Sequence, residues 1–225
     1  MNPIAALAER PWRPDPRPAG AIHPGAASRL PTRRAGLWLF LAVVTVLFLL
    51  TALAYLTRMS LGDWVPVKEP DLLWVTSAVL VLTSLAMQRA SWRAGRGDRR
   101  GMREALAAAG VLTLVFLAGQ ALACRMLWER GFYAAANPAF AFFYLLTLLH
   151  ALHLAGGLAV LGATLARAGD PERGREAGQT VRLCAIYWHF LLVVWAVILG
   201  LMLADNRGAF DVIAMCRAFI GSIGP

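Results

Sequence analysis

Five stretches of this chain carry no charged side chain and are long enough to cross a lipid bilayer. They lie between Arg34 and Arg58, Asp71 and Arg89, Glu104 and Arg125, Arg130 and Arg167, and Arg182 and Asp205. They hold 23, 17, 20, 36 and 22 residues. Because a hydrocarbon core of ~30 Å needs roughly 20 helical residues, each stretch can form one span, the second only just. The pattern predicts an all-α fold, a polytopic membrane helix bundle with five transmembrane helices.

Composition leaves little room for a separate soluble domain. Of the 225 residues, 59% are hydrophobic, whereas a soluble domain has about 45–50%. We place the spans at 36–56, 72–88, 105–124, 138–166 and 183–204. Residues 1–34 hold seven of the 12 prolines and many arginines, so they are predicted to form a disordered cytoplasmic arm. Residues 35–205 then form the membrane domain, and residues 206–225 a short external tail.

The net charge of +9 is unevenly placed. Of the 22 Lys and Arg residues, 16 lie before span one, between spans two and three, or between spans four and five. This is the positive-inside pattern of a multi-pass protein of the bacterial inner (plasma) membrane. It predicts a cytoplasmic N-terminus and an external, periplasmic C-terminus. The clustering favours topology and anionic headgroups over binding of nucleic acid.

Polar residues inside the spans are few, and lipid offers them no hydrogen bond, so each should face another helix or a cavity. Span three holds Gln120, span four holds His150 and His153, and span five holds His189. His150, His153 and Gly157 recur at helical spacing along one stripe. We expect the three histidines to lie near one another where spans four and five approach, paired with polar groups or lipid headgroups.

Two interpretations of these histidines stay open on the residues alone. In one they are structural and bond across helices. In the other they ligate a haem or a metal, which would make the chain a bis-histidine membrane cytochrome. A zinc or iron site normally recruits further N, O or S ligands, and the spans contain neither Asp nor Glu. We therefore predict no metal, no cofactor and no catalytic residue on this chain.

The aromatic residues of the spans predict packing rather than chemistry. Trp188 and Trp195 are seven residues apart and share one face of span five, and Trp38 lies near the cytoplasmic end of span one. Gly157 belongs to a group of glycines in span four that would let helices approach closely. The spans contain no nucleophile–base pair, no paired carboxylates and no phosphate-binding loop.

Four motifs together resemble subunit III of the haem–copper terminal oxidases. Residues 142–157 contain two adjacent phenylalanines, then Thr147, His150, His153 and paired glycines, as that family does. Residues 187–195, YWHFLLVVW, resemble its YWHF-x-D-x-VW run, and residues 36–41, GLWLFL, resemble its opening helix. Residues 116–120, FLAGQ, resemble a further segment. The order and the five spans fit the shorter, five-helix form of the family.

The resemblance implies a non-catalytic subunit III of a respiratory oxidase that reduces oxygen to water in aerobic electron transport. Such a subunit packs against the catalytic subunit I beside subunit II, stabilises it, supports proton uptake and holds phospholipids. Haem and copper would then sit on the partner subunit. The candidate structural or lipid-contact residues are Trp38, Gln120, His150, His153, Gly157, Tyr187, Trp188, His189 and Trp195.

Three departures set this chain apart from the family pattern. Val44, Ala123 and Leu192 stand where the family usually has two glutamates and an aspartate. Their loss weakens any role in handling protons and indicates a divergent member. An accessory protein of a nitric oxide reductase system would share the same fold and stays an alternative.

Overall fold

The computed structural model describes residues 29–59, 61, 63–66, 71–168 and 174–206, with the backbone alone at 29–32, 174–177 and 206. These residues form five α-helices: α1 Arg29–Met59, α2 Leu72–Gly95, α3 Arg99–Glu129, α4 Pro138–Arg167 and α5 Gly174–Asn206. Each contains a segment of 24 to 31 residues that is long and apolar enough to span a membrane. No strand occurs in the described ranges, so the all-α, five-helix prediction is confirmed.

Four of the five helices are longer than the charge-free stretches that predict them, whereas α4, with 30 residues, is shorter than its stretch of 36. Helix α2 continues past Gln88 to Gly95 and takes two arginines with it, because a helix need not end where the hydrocarbon ends. Helix α1 begins at Arg29, so the last six residues of the segment 1–34, predicted as disordered, are helical instead. A proline in a first helical turn is tolerated there. Residues 1–28 and 207–225 lie outside the described residues, and the arm and the external tail stay predictions.

The chain divides after Gly36 into two compact units, and the bundle described below begins at Leu37. Helices α2 and α3 form a tight hairpin, α5 packs against both α2 and α4, and α4 also packs against α3. Helix α1 buries one narrow stripe, Leu41, Val44, Phe48 and Tyr55. Most of its other apolar side chains face outward, as lipid or a second subunit in the membrane would allow.

A charged turn closes the α2–α3 hairpin. Gly97 has a φ of +74°, a left-handed conformation that glycine adopts at low cost. Asp98 then caps α3, since its Oδ1 accepts from the backbone N–H of Gly101 at 2.9 Å. Arg93 donates to the other carboxylate oxygen at 2.5 Å. The Gly101 bond, and after it the Arg93 bond, hold the pKa of Asp98 below its usual range.

A second cap ties the α1–α2 loop to the start of α4. Asn137 Oδ1 accepts from the Ala139 N–H at 2.9 Å, and Pro138 takes the first helical position. The Asn137 amide also donates to the carbonyl of Asp63, 2.8 Å away in the α1–α2 loop. Because one side chain serves both segments, the loop is held against the start of α4.

Candidate functional site

Three rings from three helices meet at the centre of the bundle. Phe116 of α3 packs edge-on against Trp195 of α5 with centroids 5.3 Å apart, and against His150 of α4 at 5.8 Å. His150 and Trp195 lie 5.1 Å apart, centroid to centroid. Trp195 Nε1 donates to Ser77 Oγ of α2 at 2.8 Å. This central cluster therefore joins α2, α3, α4 and α5.

Further hydrogen bonds cross the helix interfaces on either side of the central cluster. Gln120 Nε2 donates to Thr76 Oγ1 at 2.9 Å and links α3 to α2. Trp188 Nε1 donates to Thr113 Oγ1 at 3.3 Å and links α5 to α3. Both pairs are buried, and such bonds average about 0.6 kcal/mol in membrane proteins. Their effect is to fix which faces of the helices meet.

His189 joins α5 to α2 through both nitrogens of its ring. Nδ1 lies 2.7 Å from Ser84 Oγ, and Nε2 lies 3.1 Å from Gln88 Oε1. An imidazole engaged at both nitrogens has no lone pair left for a metal ion or a haem iron. The arrangement makes His189 an interhelical bridge.

His153 lies in a different interface, between α1 and α5. Its ring packs against Phe48 and Phe40 of α1, with centroids 5.4 and 6.3 Å away. Its Nδ1 lies 2.7 Å from the Leu149 carbonyl, to which it donates. Tyr187 of α5 donates its hydroxyl to the His153 carbonyl at 2.8 Å. These contacts hold part of the buried stripe of α1 in place.

Gly157 marks the closest approach of α4 and α5. A Cβ at this position would lie 2.7 Å from Tyr187 Cε1 and 3.1 Å from Trp188 Cη2. Real Cβ atoms do not tolerate the first of these distances. The predicted close approach at Gly157 is therefore present, and its partners are the two aromatic residues that open the YWHF run.

The histidine stripe does not act as one group. His150 faces the central cluster, His153 faces α1, and His189 faces α2. The expected polar partners are present at His153 and His189, and residues three apart on a helix differ by about 60° in direction, enough to face different helices. His150 has no hydrogen-bond partner at either nitrogen among the residues that the structure describes. Trp38, the remaining candidate, is 60% exposed in the first half of α1.

A buried carboxylate gathers three segments at one end of the bundle. Asp205, near the end of α5, is 8% exposed. It accepts from the Tyr55 hydroxyl of α1 at 2.6 Å and from Trp64 Nε1 of the α1–α2 loop at 3.1 Å. Beside it, Arg58 pairs with Asp63 and lowers the pKa of that carboxyl. In the sequence, Asp205 is recognisable only as an acidic residue at the end of an apolar span. That position indicates where the span ends but not which residues the carboxylate contacts.

The C-terminal end of α2 carries a basic groove. A cavity of about 550 Å³ is lined by Leu85, Ala86, Arg89, Trp92, Arg93 and Arg96. Trp92 and Leu85 are largely exposed. A row of arginines beside an exposed tryptophan suits the headgroup region of a membrane.

The positions of the missing family acids are apolar and well packed. Val44 is 2% exposed on the stripe of α1, and Ala123 is fully buried on α3. Leu192 is partly buried on α5. Across the described part of the chain, no group of three His, Cys, Asp or Glu residues could hold a metal ion. What the arrangement does is join helices.

Comparison with known proteins agrees with this architecture. The family model for cytochrome c oxidase subunit III matches residues 34–203, which include most of all five helices. A cytochrome c oxidase subunit 3 of Synechocystis sp. is 31% identical over 74% of this chain and 72% of its own length. A probable cytochrome c oxidase subunit 3 of Mycobacterium bovis is 30% identical over 60% and 68%. The cytochrome c oxidase subunit 3 of Thermostichus vulcanus is 27% identical over 78% and 88%.

Proposed function

The chain belongs to the cytochrome c oxidase subunit III family, and from this premise we propose that it stabilises the catalytic subunit of a haem–copper oxidase without taking part in electron transfer. It is a multi-pass membrane protein, and its family carries no catalytic metal centre. Haem and copper belong to subunit I in this proposal, with subunit II as the second protein partner.

The proposal rests on where the polar side chains of the spans form their hydrogen bonds. Trp195, His189, Trp188 and Gln120 each bond a neighbouring helix. Those bonds fix the internal structure and leave an apolar exterior. Helix α1 in particular exposes large apolar side chains on every face but one stripe. A helix that buries so little within its own chain has surface available for a larger membrane subunit.

Phospholipid binding is the second part of the proposal, and the basic groove on α2 supports it. Arg89 and Arg96 line the groove near the end of α2, where headgroups would lie, and the exposed Trp92 ring is suited to the same interface. Proton uptake by the complex would be supported indirectly, through the stability of the catalytic subunit. The buried, apolar Val44 and Ala123 offer no proton-binding group of their own.

The orientation follows from the charges. We place the N-terminus and the loops that contain Arg96 and Arg175 in the cytoplasm, and the C-terminus in the periplasm. Reporter fusions after Arg100 and after Pro225 test this orientation, with active alkaline phosphatase expected only at Pro225. Equal activity of both fusions would contradict five spans.

Deletion of the chain tests the proposed role. Native membranes should yield a complex of this chain with a larger subunit that binds haem and copper. The deletion strain should retain partly active oxidase that inactivates faster during turnover or on warming. A control strain that expresses the chain in trans should restore the lifetime. If deletion abolished haem reduction in a fully assembled complex, the chain would belong to the electron path.

The relatives named above are all cytochrome c oxidase subunits, which favours an oxidase over a nitric oxide reductase system. The histidine contacts also disfavour the cytochrome alternative. His189 uses both ring nitrogens, and His150 and His153 enter separate interfaces. A visible spectrum of the purified chain should therefore show no Soret band that depends on these histidines.

A further inference from the structure

Among the residues that the structure describes, three buried side chains near the centre of the bundle keep polar atoms that have no hydrogen-bond partner. These atoms are Gln120 Oε1, Thr147 Oγ1 and both ring nitrogens of His150. The residues are 3%, 3% and 0% exposed, respectively. Because a buried polar group without a partner has lost its hydrogen bonds to water and gained nothing in exchange, native proteins rarely keep several of them together.

Thr147 differs from the other buried threonines because its hydroxyl does not bond a carbonyl of its own helix. Thr113 and Thr164 each donate to the carbonyl four residues earlier, at 2.7 Å. Thr76 and Thr83 likewise bond a carbonyl of their own helix. Thr147 forgoes this local bond. Its hydroxyl is therefore free to bind something other than its own helix.

Helix register places the three groups close in depth. Phe116 and His150 are in ring contact, which aligns α3 with α4. From there Gln120 lies about 6 Å along α3, and Thr147 about 4.5 Å along α4 in the same direction, because the helices are antiparallel neighbours. The two residues are thus level to within about 2 Å. Both lie on the outer side of the central cluster.

We infer that Gln120, Thr147 and His150 line a buried water-binding site between α3 and α4. Oε1 is an acceptor, the hydroxyl can donate and accept, and a neutral imidazole offers one donor and one acceptor. One or two waters could use all of these groups, since a buried water makes about three hydrogen bonds. Val44 and Ala123 stand where the family usually has glutamates. Because both are apolar, they cannot form hydrogen bonds with these groups.

The inference concerns only this chain's interior and does not depend on the proposed role in the oxidase. Bound water would satisfy His150 and set which of its nitrogens carries the proton. It would also give the bundle a hydrated position at a depth where lipid supplies no hydrogen bond.

The change in Tm caused by Thr147→Val, measured in the purified complex, has opposite signs for a hydrated and a dry site. Valine keeps the shape and removes the hydroxyl. If water is bound, it loses a partner, and Tm should fall by roughly 2–4 °C. If the site is dry, the change removes an unsatisfied group, and Tm should rise. Thr164→Val is the matched control, because Thr164 is equally buried on the same helix.

A cryo-electron microscopy map that shows ordered water gives the direct measurement. We expect a peak within about 2.7–3.2 Å of Thr147 Oγ1 and of Gln120 Oε1 or a His150 nitrogen. The peak should vanish in Thr147→Val and persist in Thr147→Ser, which keeps the hydroxyl. If the valine variant does not assemble, the serine variant still provides a test. No peak, direct bonds among the three side chains, or a peak with the coordination of a metal cation would overturn the inference, as would a rise in Tm.

Discussion

The contact at Gly157 allows the packing of α4 against α5 to be tested with one methyl group. Gly157→Ala would place that methyl 2.7 Å from Tyr187 Cε1, where ordinary contact begins at 3.4 Å. One of the two must retreat by about 0.7 Å, the difference between these distances. Tyr187 is held by its bond to the His153 carbonyl at 2.8 Å, and Trp188 by its bond to Thr113. Neither ring can withdraw without lengthening a hydrogen bond.

The magnitude follows from two opposed effects. Overpacking of this kind costs about 1–3 kcal/mol. Alanine in place of glycine in a helix recovers up to about 1 kcal/mol. The variant should therefore lose up to about 2 kcal/mol of stability, with the hydrogen bond to His153 lengthened.

Gly156→Ala separates the two effects. Gly156 is the preceding residue, is exposed, and would have no other atom within 4 Å of an added Cβ. It gains the same helix propensity without the clash. The difference between the two variants therefore reports the clash alone, about 1–3 kcal/mol.

The assay is unfolding of the chain in lipid nanodiscs, followed by tryptophan fluorescence, with Gly162→Ala as a second open-space control. Equal stability of the Gly157 and Gly156 variants would show that the α4–α5 approach is not as close as described. Greater stability of Gly157→Ala than of the wild type would refute the reasoning outright.

Three further outcomes are expected. Asn137→Ala removes the cap of α4 and the bond to the α1–α2 loop, and should cost about 1–2 kcal/mol in the same unfolding assay; a neutral result would mean that the loop is not held there. Ser77→Ala keeps the Trp195 ring and removes the acceptor of its hydrogen bond, and should cost about 0.6 kcal/mol, whereas an unchanged stability would mean that this bond does not help to join α5 to α2. Asp98 has a folded pKa below its unfolded value of about 4, so its stabilisation is full above that value and disappears as pH falls through the folded pKa. As the pH falls from neutral through this range, Asp98→Asn should therefore lose less Tm than the wild type, and parallel curves would contradict this.

The sequence predicts the helices because lipid imposes a single rule, the exclusion of charge, that can be read along one dimension. It does not predict partners. His189 is recognisable as a polar residue in a span, yet its bonds to Ser84 and Gln88 depend on the rotation of α5 against α2. That rotation is set by packing across the whole interface, which no local pattern encodes.

The two histidines of α4 show the same limit at shorter range. His150 and His153 lie on one helical stripe in the sequence. Because α4 has neighbouring helices on several sides, a difference of about 60° in direction is enough to place the two rings against different helices. Gly157 was predictable only in part. Glycines in a span favour close approach of helices, but the structure is needed to show that Gly157 makes such a contact whereas Gly156 and Gly162 face open space.

The Tyr55–Asp205 bond joins residues 150 positions apart in the chain. During synthesis, α1 enters the membrane long before its carboxylate partner exists. The α2–α3 hairpin, whose connection is only a few residues long, can close at once because little loop entropy opposes it. The C-terminal end of α1 must wait for α5, as contacts of large sequence separation form late. Until then the apolar surface of α1 is open to other membrane proteins, and the order of translation gives a partner subunit time to bind it first.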